Sequence, residues 1–187
     1  PLSLRLLVTH SALSALQHLA IEADLDAAAK LLHEPLGLDG RHAEAEDGDA
    51  TLLDHKRRLT PRGEKQAKKV AHWLHQNLPR KCHVLVSPTE RTQQTANTLE
   101  LPYDIEKKVG VDATVADILT AANWPTNPGA VVIVGHQPTL GRIAALLLSG
   151  TEADWPMKKG AIWWFSSRMR ESEPQIVLRA AINPDFL

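Results

Sequence analysis

The 187-residue chain reads as an α/β domain on a largely parallel sheet, and three observations predict it. Short aliphatic runs alternate with stretches of helical periodicity, the pattern of layered α/β domains. The clearest run, Ala130 to Val134, is aliphatic throughout, as strands covered on both faces are. Hydrophobic residues make up 43% and charged residues 23%, so a chain of this length can close one soluble core without staples.

The elements follow in order. Leu4 to Val8 is a short apolar run that could be a strand. From Ser11 to Leu32, leucines and Ile21 recur near helical spacing among many alanines. His33 to Gly40 is a turn-rich break with Pro35, Gly37 and Gly40, and Arg41 to Arg58 reads as polar loop. Thr60 caps a helix with Pro61 at its first position, and Ala67, Val70, Ala71, Leu74 and Leu78 form its apolar face. Cys82 to Val86 is a buried strand. Ser87-Pro88 opens a second helix, running to about Leu99. Pro102 to Glu106 is extended near a sheet edge, and Thr114 to Ala122 is a third helix. A Gly-His-Gln-Pro turn follows Val134 and leads into a helix from about Thr139 to Leu148. Ala161 to Ser166 and Gln175 to Ala181 are late strands, paired as a hairpin across Arg168 to Pro174.

Composition excludes several classes. The formal net charge of -1 argues against nucleic acid and against an acidic membrane surface as partners. A phosphate site in such a chain must be a local concentration of positive groups. The single cysteine, Cys82, rules out an intramolecular disulfide and suggests a reducing, cytoplasmic setting. Its place in an apolar run makes it a small core residue rather than a nucleophile. No apolar run approaches a membrane span, and the start, Pro1-Leu2-Ser3-Leu4-Arg5, has no signal-peptide pattern. The missing initiator Met suggests a trimmed or incomplete N-terminus.

In open α/β sheets ligands bind beyond the carboxyl ends of the strands. Three junctions carry chemistry: Arg41-His42 after Leu36-Gly37-Leu38, Ser87-Pro88 with Arg91 after Val84-Leu85-Val86, and Gly135-His136 after Val131 to Val134. If those strands are neighbours, two histidines and two arginines converge on one pocket. That set suits phosphoryl transfer without a metal. Arginine forks match phosphate oxygens, and a neutral imidazole can attack phosphorus. The bland readings are weaker beside this convergence: a solvated Arg-His pair, a core or capping His136, an exposed Arg91.

Other candidates carry less. His72 and His75 could share a helix face as a metal pair, but a solvated surface fits better. His10, His18, His33, His55 and His83 form no ligand spacing, so no metal and no cofactor is expected. Trp163 and Trp164 read as packing on opposite faces of a strand. Lys158 and Lys159 read as a solvated turn that could touch an acidic partner.

Four segments together resemble the successive motifs of the histidine phosphatase superfamily. They are Arg41-His42-Ala43-Glu44-Ala45, Leu59-Thr60-Pro61-Arg62-Gly63, Ser87-Pro88 with Arg91-Thr92 and Gln94-Thr95-Ala96, and Val134-Gly135-His136-Gln137-Pro138. Their compact form is similar to the SixA-like phosphohistidine phosphatases. The resemblance runs from about Arg41 to the C-terminus and implies a three-layer α/β/α sandwich and metal-free phosphatase activity. It implies His42 as nucleophile, Arg41 and Arg91 as grips on the phosphoryl oxygens, and His136 as transition-state stabiliser. The implied substrate is a phosphohistidine-bearing protein, either a phosphotransfer domain or a phosphocarrier. A small phosphomonoester is the alternative substrate, and a non-catalytic phosphate- or phosphohistidine-binding module the alternative function. Larger family members use a carboxylate to protonate an alcohol leaving group; Glu44 and Glu90 are the candidates here. An imidazole leaving group relaxes that need.

The chain departs from the family before Arg41, where a firm strand is expected. Pro35-Leu36-Gly37-Leu38-Asp39-Gly40 is a poor strand by composition. Three explanations stand. The segment is a short strand enforced by its neighbours; Leu4 to Val8 fills the slot, with residues 11–40 inserted; or residues 1–40 form an appendage with an adaptor or oligomerisation role. The reading adopted is a helical extension over 1–40 and a phosphatase-like domain over 41–187. A scaffold role for the leucine- and alanine-rich N-terminal helix is the remaining alternative.

Overall fold

The computed structural model describes residues 36–48, 52–170 and 173–187. The apolar run 4–8 and the helix expected over 11–32 lie outside them. Among the described residues the strands are β1 (Leu36–Arg41), β2 (Cys82–Val86), β3 (Asp104–Ile105), β4 (Ala130–Gly135), β5 (Ile162–Arg170) and β6 (Glu173–Ile182). The helices are α1 (Pro61–Asn77), α2 (Glu90–Asn97), α3 (Val115–Ala121) and α4 (Thr139–Ser149). The strands form one sheet in the order β3-β2-β4-β1-β5-β6. The first four of these run parallel, β5 runs antiparallel to β1, and β6 antiparallel to β5. The hairpin is longer than expected, with pairing continuing to Arg170 and Glu173.

The expectation that residues up to Gly40 belong to an extension is corrected for 36–40. They are strand, and a central one. Leu36 to Arg41 pair in register with Ala130 to Gly135 on one side, and Leu36 to Gly40 with Ser166 to Ile162 on the other. Two flanking ladders supply the hydrogen bonds that local propensity does not favour, so context overrides composition.

The pleat sorts the core onto two faces. Val84, Val86, Val132, Val134, Ile162 and Trp164 pack with Val70, Ala71 and Leu74 of α1 and with Ala96 and Leu99 at α2. Leu85, Val131 and Ile133 point the other way, against Val115 and Ile118 of α3 and Leu140 and Ile143 of α4. This alternation makes an α/β/α sandwich. It also separates the two tryptophans as expected: Trp164 lies in the first cluster, while Trp163 packs against the second. Each fully buried aliphatic side chain contributes about 1.5–3 kcal/mol relative to exposure.

Helix α1 starts where the sequence says. The Thr60 hydroxyl accepts from the Gly63 N–H at 3.0 Å, and Pro61 follows at the first position. Helix α4 stops at Gly150, whose φ of 76° is the left-handed conformation that favours glycine. Helix α2 starts later than expected, with Thr89 as cap, so Ser87-Pro88 forms the turn between strand and helix. No helix among the described residues is long and apolar enough to cross a membrane.

Candidate active site

The adjacent strands β2, β4 and β1 end side by side, and their exits carry the chemistry. The His42 backbone is clamped at both ends. Its N–H donates to the Gly135 carbonyl at 3.2 Å, and its carbonyl accepts from the Gly160 N–H at 3.0 Å. The exit of β2 is tied to β4 as well, since the Ser87 N–H donates to the Val134 carbonyl. Backbone bonds thus tie the three junctions together, and side chains add to them: the Thr92 hydroxyl donates to the Ser87 carbonyl at 2.8 Å, and the Thr95 hydroxyl accepts from the Ala43 N–H at 3.2 Å.

His42 and His136 face one another with ring centroids 5.3 Å apart and planes tilted by 58°. Both are buried, at 8% and 3% exposure. The Nδ1 of His42 lies 2.7 Å from the Ala43 carbonyl oxygen. A carbonyl only accepts, so Nδ1 carries the proton and Nε2 keeps its lone pair. The Nε2 of His136 is 2.7 Å from the hydroxyl of fully buried Ser87. That contact fixes the ring, whichever of the two atoms donates.

Electrostatics keep both rings neutral. Burial is the main cause that lowers the His42 pKa to about 4; the Ala43 hydrogen bond opposes it, and the charges of Arg91, Arg41 and Arg57 add to it. His136 falls to about 3, through burial first and then through His42 and Arg91. The charges of Arg41 and Arg91 act on both imidazoles. Arg41 is half-buried, its own pKa lowered by burial, and it donates through Nη1 to the Met157 carbonyl. Arg91 is 4% exposed and donates to Asp54 through both terminal nitrogens: Nη1 to the carbonyl at 2.7 Å, Nη2 to Oδ2 at 3.0 Å.

The two carboxylates named as candidate acids sit elsewhere. Glu44 accepts from the Thr60 hydroxyl at 3.1 Å and pairs with Arg62 at 3.7 Å. It braces the first turn of α1, and it is absent from the charges that shift the imidazoles. Glu90 is exposed at the start of α2. The carboxylate that does act on His136 is Asp54, which sequence reading missed, together with its partner Arg57. Both lie in the polar segment read as loop. The spacing of Asp54 and Arg57, three apart on a short 3₁₀ turn, was the available signal.

Among the described residues no group of three or more His, Cys, Asp or Glu is placed to hold a metal. His72 contacts Gln76 at the surface, and His75 contacts the Leu99 carbonyl. What the pocket offers is a neutral imidazole with a free lone pair, a second imidazole opposite it, and guanidinium groups around both. This arrangement can receive an anionic group and stabilise charge on it.

Comparisons with known proteins agree. Residues 40–111 match the model of the histidine phosphatase superfamily, branch 1. An uncharacterized protein of Mycobacterium tuberculosis is 34% identical over 117 residues, which is 60% of this chain and 73% of the relative. The structure of the protein histidine phosphatase SixA complexed with tungstate matches with a TM-score of 0.66 at 25% identity, covering 81% of this chain and 98% of that one. A phosphoserine phosphatase mutant from Entamoeba histolytica, in complex with phosphoserine, matches with a TM-score of 0.58 at 16% identity. It covers 82% of this chain and 99% of its own, and shares the fold.

Proposed function

The chain belongs to the histidine phosphatase superfamily and is a phosphatase, and from that premise we propose that it hydrolyses phosphohistidine on a protein partner through a phosphoenzyme at His42. The observation that carries the reading is the His42 Nδ1–H bond to the Ala43 carbonyl, which leaves Nε2 free. The Nε2 lone pair attacks phosphorus as the P–N bond to the substrate imidazole breaks, and that imidazole leaves neutral if its other nitrogen is already protonated. Water then attacks the phosphoenzyme, phosphate departs, and the His42 lone pair is restored. Arg91 and Arg41 take up the phosphoryl charge, and His136 stabilises it from the opposite side.

Among the described residues, the absence of a free acid at the rings supports a P–N over a P–O substrate. Burial acts to raise the Asp54 pKa, but the hydrogen bond and charge of Arg91, then those of Arg57, outweigh it and hold the carboxyl below its usual range. Asp54 is therefore ionised at neutral pH and cannot protonate an alkoxide. The free thiol of Cys82 and the absence of a membrane-crossing helix among the described residues fit a cytoplasmic partner, a phosphotransfer domain or a phosphocarrier. The test is a comparison of kcat/KM on a phosphohistidine peptide and on simple alkyl phosphates. The phosphohistidine peptide should be the better substrate; faster hydrolysis of alkyl phosphates returns the reading to a small-phosphomonoester phosphatase.

A further inference from the structure

Arg91 is a buried cation whose terminal nitrogens both bond to one residue. Its Nη1 and Nη2 donate to the carbonyl and to Oδ2 of Asp54, and its Nε is buried with no hydrogen-bond partner. Asp54 is the opposite case. Its side chain is 54% exposed, it starts a 3₁₀ turn (Asp54–Lys56) that buries no residue, and Leu53 before it is 59% exposed. Its second oxygen pairs with Arg57 at 2.9 Å. Arg57 is anchored separately, donating through Nε to the Glu46 carbonyl at 2.7 Å. With both imidazoles neutral, Arg41, Arg57 and Arg91 leave the pocket positive, and Asp54 is the carboxylate that acts on it.

We propose that the Asp54 carboxylate is a resident anion of the phosphate site: it holds the Arg91 fork in the free protein, and an incoming phosphoryl group must displace it. This rests on the reading of Arg91 as a phosphoryl grip. The partners are unequal, and that decides which one moves. Arg91 is fixed inside the fold at the start of α2, whereas the Asp54 turn has no buried residue to expose on leaving. The Asp54 carboxylate already faces solvent, so water can solvate it when it lets go of the fork. A phosphoryl group brings more charge and matches the fork with two oxygens, so it wins the exchange. Asp54 retains Arg57 as a partner while displaced. The device keeps a buried arginine from standing unpaired between turnovers, at the cost of weaker anion binding.

The experiment is calorimetric titration of wild type, Asp54→Asn and Asp54→Ala with inorganic phosphate, at low and at high salt. Both variants should bind phosphate about tenfold more tightly than wild type at low salt, with the gap narrowing as salt screens the competing charge. The isosteric amide keeps the half-exposed turn intact, and a thermal melt verifies folding of both variants. Unchanged or weaker binding in both variants overturns the proposal, because Asp54 would then only orient Arg91. Phosphate binding needs no turnover, so this result is independent of whether phosphohistidine proves to be the substrate.

Discussion

The two histidines arrive at the pocket by unlike routes. His136 follows β4, six residues buried from end to end. His42 follows β1, a strand with two glycines and an aspartate that composition argues against. Yet the His42 backbone is firmly placed, clamped by Gly135 on one side and Gly160 on the other. A weak strand in a central slot is held by its neighbours, so the quality of a strand's own sequence does not measure the precision of the residue it delivers. The rings differ in consequence too. His42 is bonded at Nδ1 and free at Nε2, whereas His136 is bonded at Nε2 to Ser87. In the proposed reaction the first attacks and the second is held in place.

The largest expected effect separates those roles. His42→Ala should lower kcat by at least about 10⁴-fold and abolish any phosphoenzyme. His136→Ala should cost about 10²–10³-fold and still form phosphoenzyme, slowly, because charge stabilisation is lost but the nucleophile remains. Equal losses, with no phosphoenzyme in either variant, would break the comparison.

The pH profile sharpens it. Both rings have lowered pKa values, about 4 and about 3, so both are neutral at pH 7. The kcat/KM profile should stay level from neutral pH to about 5, halve by about pH 4 as His42 gains a proton, and approach a tenfold fall per unit below that. Stability should follow the same sign. Between the unfolded value near 6.5 and the folded values, the unfolded chain binds protons that the native state does not. Stability is therefore full above about 6.5 and is lost as pH falls through that window. His42→Ala and His136→Ala should each flatten that slope in urea unfolding measured from pH 7 to 4.

A smaller effect tests the clamp itself. A Cβ on Gly63 would lie 1.9 Å from the Glu44 carbonyl oxygen, in the segment just past His42. Gly63→Ala should destabilise by about 1–3 kcal/mol and lower kcat, through displacement of the His42 loop. An unchanged kcat would mean that β1 alone positions the ring.

Most of the fold was legible because it is written in periodicity. The aliphatic runs of β2 and β4, the Thr60-Pro61 start of α1 and the opposite faces of Trp163 and Trp164 all follow from local pattern. The strand β1 was legible only as one of three alternatives, since its support comes from Ala130–Gly135 and from Ile162–Ser166, far along the chain. The site divides in the same way. His42, His136 and Arg41 stand at strand exits and Arg91 in the first turn of α2, positions that local pattern marks. Asp54 and Arg57 stand in a polar loop, and only tertiary structure brings Asp54 onto Arg91. Glu44 was picked for its closeness to His42 in sequence, but its carboxylate braces α1 instead.

The most direct test of the account is rapid quench of the wild-type protein with a labelled phosphohistidine peptide, followed by peptide mapping and phosphorus NMR of the trapped species. Label is expected on His42, attached at Nε2 and absent from His42→Ala. Label on another residue, or turnover with no label on His42, would contradict it.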